Sequence, residues 1–148
     1  MLKKLVPIAL ILMALALVYV RFTAFRPRMS ELIIGSTRIK VDVADTIGKQ
    51  RQGLSGRASM PEDEGMYFPM GLPSIYSFWM NDMHFPLDII WIRAGKVIDI
   101  SENVPYPLEG NPPETVQPKE PADAVLEVNA NFTEKHVVKI GDVIKIVL

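Results

Sequence analysis

The run Leu87–Ile92, LDIIWI, is the feature that most restricts the fold, because it places one carboxylate, Asp88, among five apolar residues. In an extended strand, alternate side chains point to opposite faces, and here both faces are apolar. We therefore expect this strand to be buried on both faces, with Asp88 inside whichever way the strand turns. A buried carboxylate must be paired, neutralised or functional, so Asp88 is a candidate site residue.

Alternating apolar runs and turn signals predict further short strands on either side of this one. They comprise a hairpin within residues 31–43 and strands at 65–69, 74–81, 87–93, 96–104, 123–129 and 143–148. Short helices are predicted at 44–53, with Asp45 or Thr46 as the N-cap, and at 132–138. Seven or eight strands without a βαβ rhythm predict a compact antiparallel β-sandwich or barrel with one or two short helices.

The segment Pro105–Pro121 holds six of the twelve prolines of the chain. Proline lacks the backbone donor that helices and central strands require, so this density predicts a long loop. A loop of this length is typical of either a functional lid or a mobile arm, and the sequence leaves both interpretations open.

Residues 5–20 carry no charge and follow Lys3 and Lys4. Sixteen helical residues span about 24 Å, and continuation through Phe25 makes a transmembrane span of about 30 Å possible. A cleaved signal peptide is the alternative, but an apolar run follows the small residues Ala14 and Ala16 without a polar stretch. We therefore predict an uncleaved signal anchor at residues 1–25, a tether at 26–30 and one β-rich domain at 31–148.

The charge distribution and the absence of cysteine restrict location and partners. From Ser30 onward the chain carries eleven basic and seventeen acidic residues, a formal net charge of −6. An acidic domain repels phosphate backbones, so nucleic-acid binding is not expected. The chain has no cysteine, which excludes disulfides, thiolate catalysis and cysteine-ligated metals. The layout of the N-terminal segment predicts a single-pass membrane protein whose C-terminal domain is extracytoplasmic.

Three carboxylates lie inside apolar strands, namely Asp88, Glu102 and Glu127. In the functional interpretation, Asp88, Glu102 and His84 form a pocket for acid–base chemistry. In the structural interpretation, a buried network such as Arg57 with Asp88 fixes the strand register. Two histidines are too few for a typical zinc site and no calcium-binding loop is present, so we expect neither metal nor cofactor. The aromatic residues between 67 and 91 are expected to form core.

Six sequence motifs resemble those of the DUF192 family in order and spacing. They are VADT at 43–46, QGL at 52–54 with Arg57, PEDEGM at 61–66, FWM at 78–80, PLDII at 86–90 and LEVNA at 126–130. The resemblance covers residues 31–147 and implies a compact, mainly antiparallel β-fold, often exported or membrane-anchored, with no established activity. Many relatives have a cysteine pair in the loop that follows the Glu102 strand, and this chain lacks it.

The resemblance and the strand analysis together select nine residues for a pocket or buried polar network. They are Arg57, Glu64, Trp79, Met80, Asn81, His84, Asp88, Glu102 and Glu127. The favoured hypothesis is a binding or accessory module whose cleft, near Trp79, Asn81 and the proline-rich loop, receives a small-molecule, glycan or peptide ligand. A small hydrolase that uses Asp88 and Glu102 as an acid–base pair, and an envelope scaffold without a ligand, are the alternatives.

Overall fold

The computed structural model describes residues 29–147 together with residue 13. Apart from Met13, the predicted anchor at residues 1–25 lies outside the described residues, and among those that are described no helix is long and apolar enough to cross a membrane. The folded domain begins slightly earlier than predicted, because Met29 and Ser30 already belong to the first strand.

The described part of the chain contains nine strands and two short helices. In chain order they are β1 (Met29–Ile34), β2 (Thr37–Val43), α1 (Ile47–Gln52), β3 (Glu64–Ser74), β4 (Phe78–Trp79), β5 (Leu87–Arg93), β6 (Lys96–Val104), β7 (Thr115–Val116), β8 (Ala122–Asn129), α2 (Phe132–Lys135) and β9 (Ile144–Val147). The prediction of a mainly β fold with short helices is confirmed.

Seven strands form one curled sheet, a half-barrel, in the order β6-β5-β8-β3-β2-β1-β9, and β4 pairs with β7 separately. The two edges of the large sheet approach each other through a bridge between Lys96 and Val143. The amide of Val97 donates to the carbonyl of Asp142 at 3.0 Å, and that of Ile144 donates to Gly95 at 2.8 Å. These bonds join the β5–β6 turn to the segment that leads into β9.

One strand pair is parallel, which the sequence analysis did not predict. Strands β2 and β3 run in the same direction, with Lys40 beside Glu64 and Val43 beside Tyr67. Parallel neighbours need a crossover of a dozen or more residues, and α1 with the loop after it provides that crossover. The sequence analysis recognised no βαβ rhythm, because α1 is short and its apolar periodicity is weak, and the parallel pair was therefore missed.

Strand β5 is buried on both faces, as its sequence predicts. All six residues from Leu87 to Ile92 are buried. Ile90 and Ile92 pack into one hydrophobic cluster, whereas Ile89 and Trp91 pack into a second cluster with Phe68, Leu54 and Met80. Two apolar clusters therefore cover opposite faces of the central strands, and the second cluster surrounds the candidate site.

Several predicted boundaries moved. Helix α1 starts at Ile47, and the hydroxyl of its predicted N-cap, Thr46, accepts a hydrogen bond from the Lys49 amide at 3.2 Å. The strand predicted at 74–81 is reduced to β4, because β3 extends to Ser74 beyond a register irregularity that follows Pro69. The proline-rich loop contains β7, which pairs with β4.

Candidate functional site

Asp88 is fully buried, and both of its carboxylate oxygens are occupied. Its Oδ1 accepts a hydrogen bond from the amide of Asn103 at 2.8 Å. Its Oδ2 accepts from the amide of Thr133 at 2.9 Å and from the hydroxyl of Thr133 at 2.7 Å. Asp88 therefore connects β5 to the end of β6 and to the first turn of α2.

Glu102 is exposed, although the strand alternation suggested that it would be buried. Strands β5 and β6 contain two register irregularities, one between Leu87 and Ile89 and one between Trp91 and Ile92. Because a bulge shifts every later side chain to the other face, Asp99 occupies the buried position instead. The Oε1 atom of Glu102 lies 3.5 Å from the hydroxyl of Thr133.

Glu127 is the buried acid whose environment is incomplete. The residue is 7% exposed, and its Oε2 atom has no hydrogen-bond partner among the described residues. Burial raises the pKa of Glu127 to about 8, although the positive charge of Arg57 partly opposes this rise. The carboxyl group is therefore mainly protonated at neutral pH.

The position of β8 in the sheet explains how Glu127 becomes buried. Strand β8 lies between β3 and β5, so Glu127 has Met66 on one side and Ile89 on the other. Both neighbours belong to the second hydrophobic cluster. Gly65 allows this close packing, because a Cβ atom there would approach the Glu127 carbonyl oxygen to 2.8 Å.

Glu127 lines a cavity of about 380 Å³ between the end of α1, β3 and β4. The lining is rich in apolar side chains, including Leu54, Phe68, Phe78 and Trp79. The residues that line it are Gln50, Arg51, Gln52, Gly53, Leu54, Ser55, Phe68, Met70, Ser77, Phe78, Trp79, Met83 and Glu127. Trp79 is 61% exposed at this cavity. The cavity therefore combines apolar and aromatic side chains with several polar ones, and Glu127 is its buried acid.

Arg57 belongs to a charged network beside Glu127. One guanidinium nitrogen lies 3.0 Å from Oδ2 of Asp42, and Nζ of Lys49 lies 3.2 Å from Oδ1 of the same residue. Arg57 thus contacts Asp42 rather than Asp88, in contrast to the pairing considered from the sequence. The side chain of Arg57 is 36% exposed and that of Asp42 only 6%.

The remaining predicted residues are distributed around the domain. Glu64 is partly buried at the start of β3, and His84 is exposed. Met80 is buried, with its amide donating to the carbonyl of Glu114 at 2.9 Å. The carbonyl of Asn81 accepts a hydrogen bond from the Ser55 hydroxyl at 2.8 Å. Of the nine selected residues, Trp79 and Glu127 line the cavity.

The sequence analysis missed Asp42 and Asp99 as buried acids. Asp42 lies on the face of β2 opposite to Ile39 and Val41, which the sequence pattern identifies as the outer face. However, α1 and the loop after it cover this end of the strand. Asp99 accepts hydrogen bonds from the amide and the ammonium group of Lys119 at 3.0 and 3.1 Å. It therefore holds the end of the proline-rich loop against β6.

Within residues 29–147, no cluster of three His, Asp or Glu side chains could hold a metal ion.

The fold and the site together define a small half-barrel domain with a buried acid at an apolar cavity. The chain belongs to the DUF192 family, described as Uncharacterized ACR, and the family profile matches residues 31–146.

Two solved structures are similar to this chain. One is a Sinorhizobium meliloti 1021 protein, provisionally described as a transcription regulator, which is 30% identical to this chain with a TM-score of 0.70. The aligned region covers 80% of this chain and 92% of that protein. A protein of unknown function from Novosphingobium aromaticivorans DSM 12444 is 29% identical with a TM-score of 0.68, covering 79% and 84% respectively. A comparison with curated proteins found no match.

Proposed function

We propose that the protein is a membrane-anchored, extracytoplasmic module that binds a small-molecule, glycan or peptide ligand in the cavity lined by Glu127. The observation that supports this proposal is the Oε2 atom of Glu127, which has no hydrogen-bond partner among the described residues. Buried polar atoms in folded proteins nearly always have partners. A polar anchor in an apolar concavity is the usual arrangement of a ligand site.

The protonation of Glu127 restricts the chemistry of the ligand. With a pKa of about 8, the carboxyl group can both donate and accept a hydrogen bond at neutral pH. Amide, hydroxyl and carboxyl groups of a ligand can form both of these hydrogen bonds with Glu127. The aromatic rings of Phe78 and Trp79 suit contact with an apolar or sugar-like part of the ligand. The volume of about 380 Å³ is at the lower end of the range for small-molecule sites.

The alternatives have less support. Both oxygens of Asp88 accept hydrogen bonds from main chain and Thr133, and this disfavours a free acid–base role with Glu102. The description of the Sinorhizobium meliloti relative suggests nucleic-acid binding, but the net charge of −6 from Ser30 onward opposes it.

The proposed anchor at residues 5–25 is supported by the uncharged run that begins there.

Native mass spectrometry of the full-length protein in mild detergent tests ligand binding. We expect an adduct that dissociates on denaturation and that is lost in Glu127→Leu, which replaces the carboxyl group by an apolar side chain of similar size. Glu102→Gln, at an exposed carboxylate outside the cavity, is the matched control and should retain the adduct.

The binding proposal has a clear contrary outcome. It would be wrong if the wild-type protein shows a bare mass and its melting temperature also stays constant on addition of the small-molecule fraction of the source cells. An adduct that persists unchanged in Glu127→Leu would place the ligand elsewhere.

A further inference from the structure

Residues 70–79, which we call the apolar arm, expose large apolar side chains to solvent. Leu72 is 79% exposed, Ile75 44% and Trp79 61%. No charged residue occurs anywhere between Gly65 and Asn81. The arm is also held against the domain, because Ser74 pairs with Ala122 of β8 and Phe78 pairs with Val116 of β7. An exposed, uncharged and ordered apolar surface of this kind indicates an interaction site.

The sheet topology places this arm on the side where the N-terminal segment joins the domain. Met29 is paired with Asp42, and Asp42 lies beside Met66. Strand β1 is antiparallel to β2, and β2 is parallel to β3. The start of β1 therefore lies at the same end of these strands as the end of β3. Strand β3 continues from Met66 to Ser74 in that direction. The arm therefore lies on the same side of the domain as Met29.

We propose that the apolar arm docks on the surface of the lipid bilayer. This inference rests on the proposed anchor at residues 5–25. From Phe25 to Met29 an extended chain covers at most about 14 Å, so the start of β1 must lie near the bilayer. Between Met66 and Ser74 the paired residues of β8 advance by five positions, from Glu127 to Ala122, so β3 reaches about 17 Å farther towards the same side. These two lengths allow the arm to reach the membrane surface.

The composition of the arm favours insertion of apolar and aromatic side chains into the membrane interface over electrostatic binding to charged headgroups. Trp and Tyr concentrate where headgroups meet acyl chains, and Trp79 and Tyr76 provide both ring types beside Leu72 and Ile75. The acidic balance of the domain opposes attraction to anionic lipid, so the contact depends on apolar burial. Since Trp79 also lines the cavity, the cavity would open at the bilayer and accept an amphipathic ligand.

Fluorescence of the full-length protein in phosphatidylcholine vesicles tests this docking. The chain has two tryptophans, and Trp91 is completely buried. We expect vesicles with brominated acyl chains to quench the emission of Trp79, and Trp79→Phe to remove the quenched component. The double variant Leu72→Ser and Ile75→Ser should lose most of the quenching.

A matched control uses apolar residues of similar exposure far from the arm. Val137 and Ile140 are 63% and 65% exposed and follow α2, at the opposite end of β8 from the partner of Ser74. The double variant Val137→Ser and Ile140→Ser should keep the quenching of the wild type. Equal loss in both double variants would overturn the proposal.

Alkaline carbonate extraction separates failure of the docking from failure of the anchor. Protein that stays in the vesicle pellet but shows no bromolipid quenching would overturn the docking and leave the anchor intact. Protein released by carbonate would refute the anchor on which the docking depends. Crosslinking between the arms of two copies in the membrane, without quenching, would identify a second copy as the occupant and also overturn the proposal.

Discussion

Thr133 donates two hydrogen bonds to the same carboxylate oxygen of Asp88, from its amide at 2.9 Å and from its hydroxyl at 2.7 Å. This pair joins a central strand of the sheet to a helix that follows β8 in the chain. Together with the bond from the Asn103 amide to Oδ1, it leaves the carboxylate with three donors. The arrangement assigns Asp88 a role in stability.

Asp88→Asn is expected to lower the free energy of unfolding by about 3 kcal/mol, since an amide nitrogen would face a backbone donor in a buried site. Urea unfolding of both proteins measures this change. Glu102→Gln, at the exposed neighbouring carboxylate, should change the value by less than about 0.5 kcal/mol. Equal stability of Asp88→Asn and the wild type would contradict the structural role.

Glu127 should make the domain less stable as the pH rises. Its pKa is about 8 in the folded protein and about 4.3 in an unfolded chain, so the folded state binds the extra proton between these values. The stabilisation is complete below about pH 4 and is lost as the pH rises to about 8, by at most about 1.4 kcal/mol per pH unit. Glu127→Gln should remove this dependence.

Urea unfolding of the wild type and of Glu127→Gln from pH 5 to 9 measures the difference. The variant should be the more stable protein at pH 9, because it requires no buried charge. Parallel curves for the two proteins over this range would show that Glu127 is ionised throughout.

Arg57→Gln is expected to raise the pKa of Glu127 further, because the guanidinium charge lowers that pKa in the wild type. The pH at which the stability stops falling should therefore move upward. Lys49→Gln is the matched control, since Lys49 also contacts Asp42. A larger shift for Lys49→Gln than for Arg57→Gln would disprove a direct effect of Arg57.

Asp99→Ala should release the end of the proline-rich loop. Burial opposes ionisation of Asp99, but the hydrogen bonds from Lys119 and Ile100 outweigh it and lower the pKa of the carboxyl group. We expect faster proteolysis within residues 105–121 and a loss of about 2 kcal/mol in the free energy of unfolding.

Lys119→Ala tests the same contact with its backbone donor preserved. The Lys119 side chain is 84% exposed, and an exposed ion pair contributes little stability. This variant should therefore resemble the wild type in both measurements. Loop release in Lys119→Ala as large as in Asp99→Ala would assign the effect to the ammonium group.

Local sequence patterns predicted the elements whose formation depends on neighbouring residues. The bounds of β5 and β6 agree with the apolar runs and the Ala94-Gly95 turn between them, and Thr46 caps α1. The same patterns identified Asp88, Glu102 and Glu127 as carboxylates inside apolar strands, and the family resemblance included all three among the nine selected residues.

What the sequence did not reveal depends on contacts between distant segments. The burial of Asp99 and the exposure of Glu102 follow from bulges in the β5–β6 pair. Asp42 is covered by a crossover whose path no local pattern specifies. Likewise, the partnerless oxygen of Glu127 becomes evident only when α1, β3 and β4 are assembled around it.

The central place of β8 has a consequence for the order in which the domain can form. Strands β5 and β6 are joined to β3, β2 and β1 through β8, which pairs with both β3 and β5. Before residues 122–129 have emerged from the ribosome, the sheet therefore exists as separate pieces with unpaired edges. Such long-range strand pairing is slow to form. The large sheet can therefore be completed only when almost all of the described chain has been synthesised.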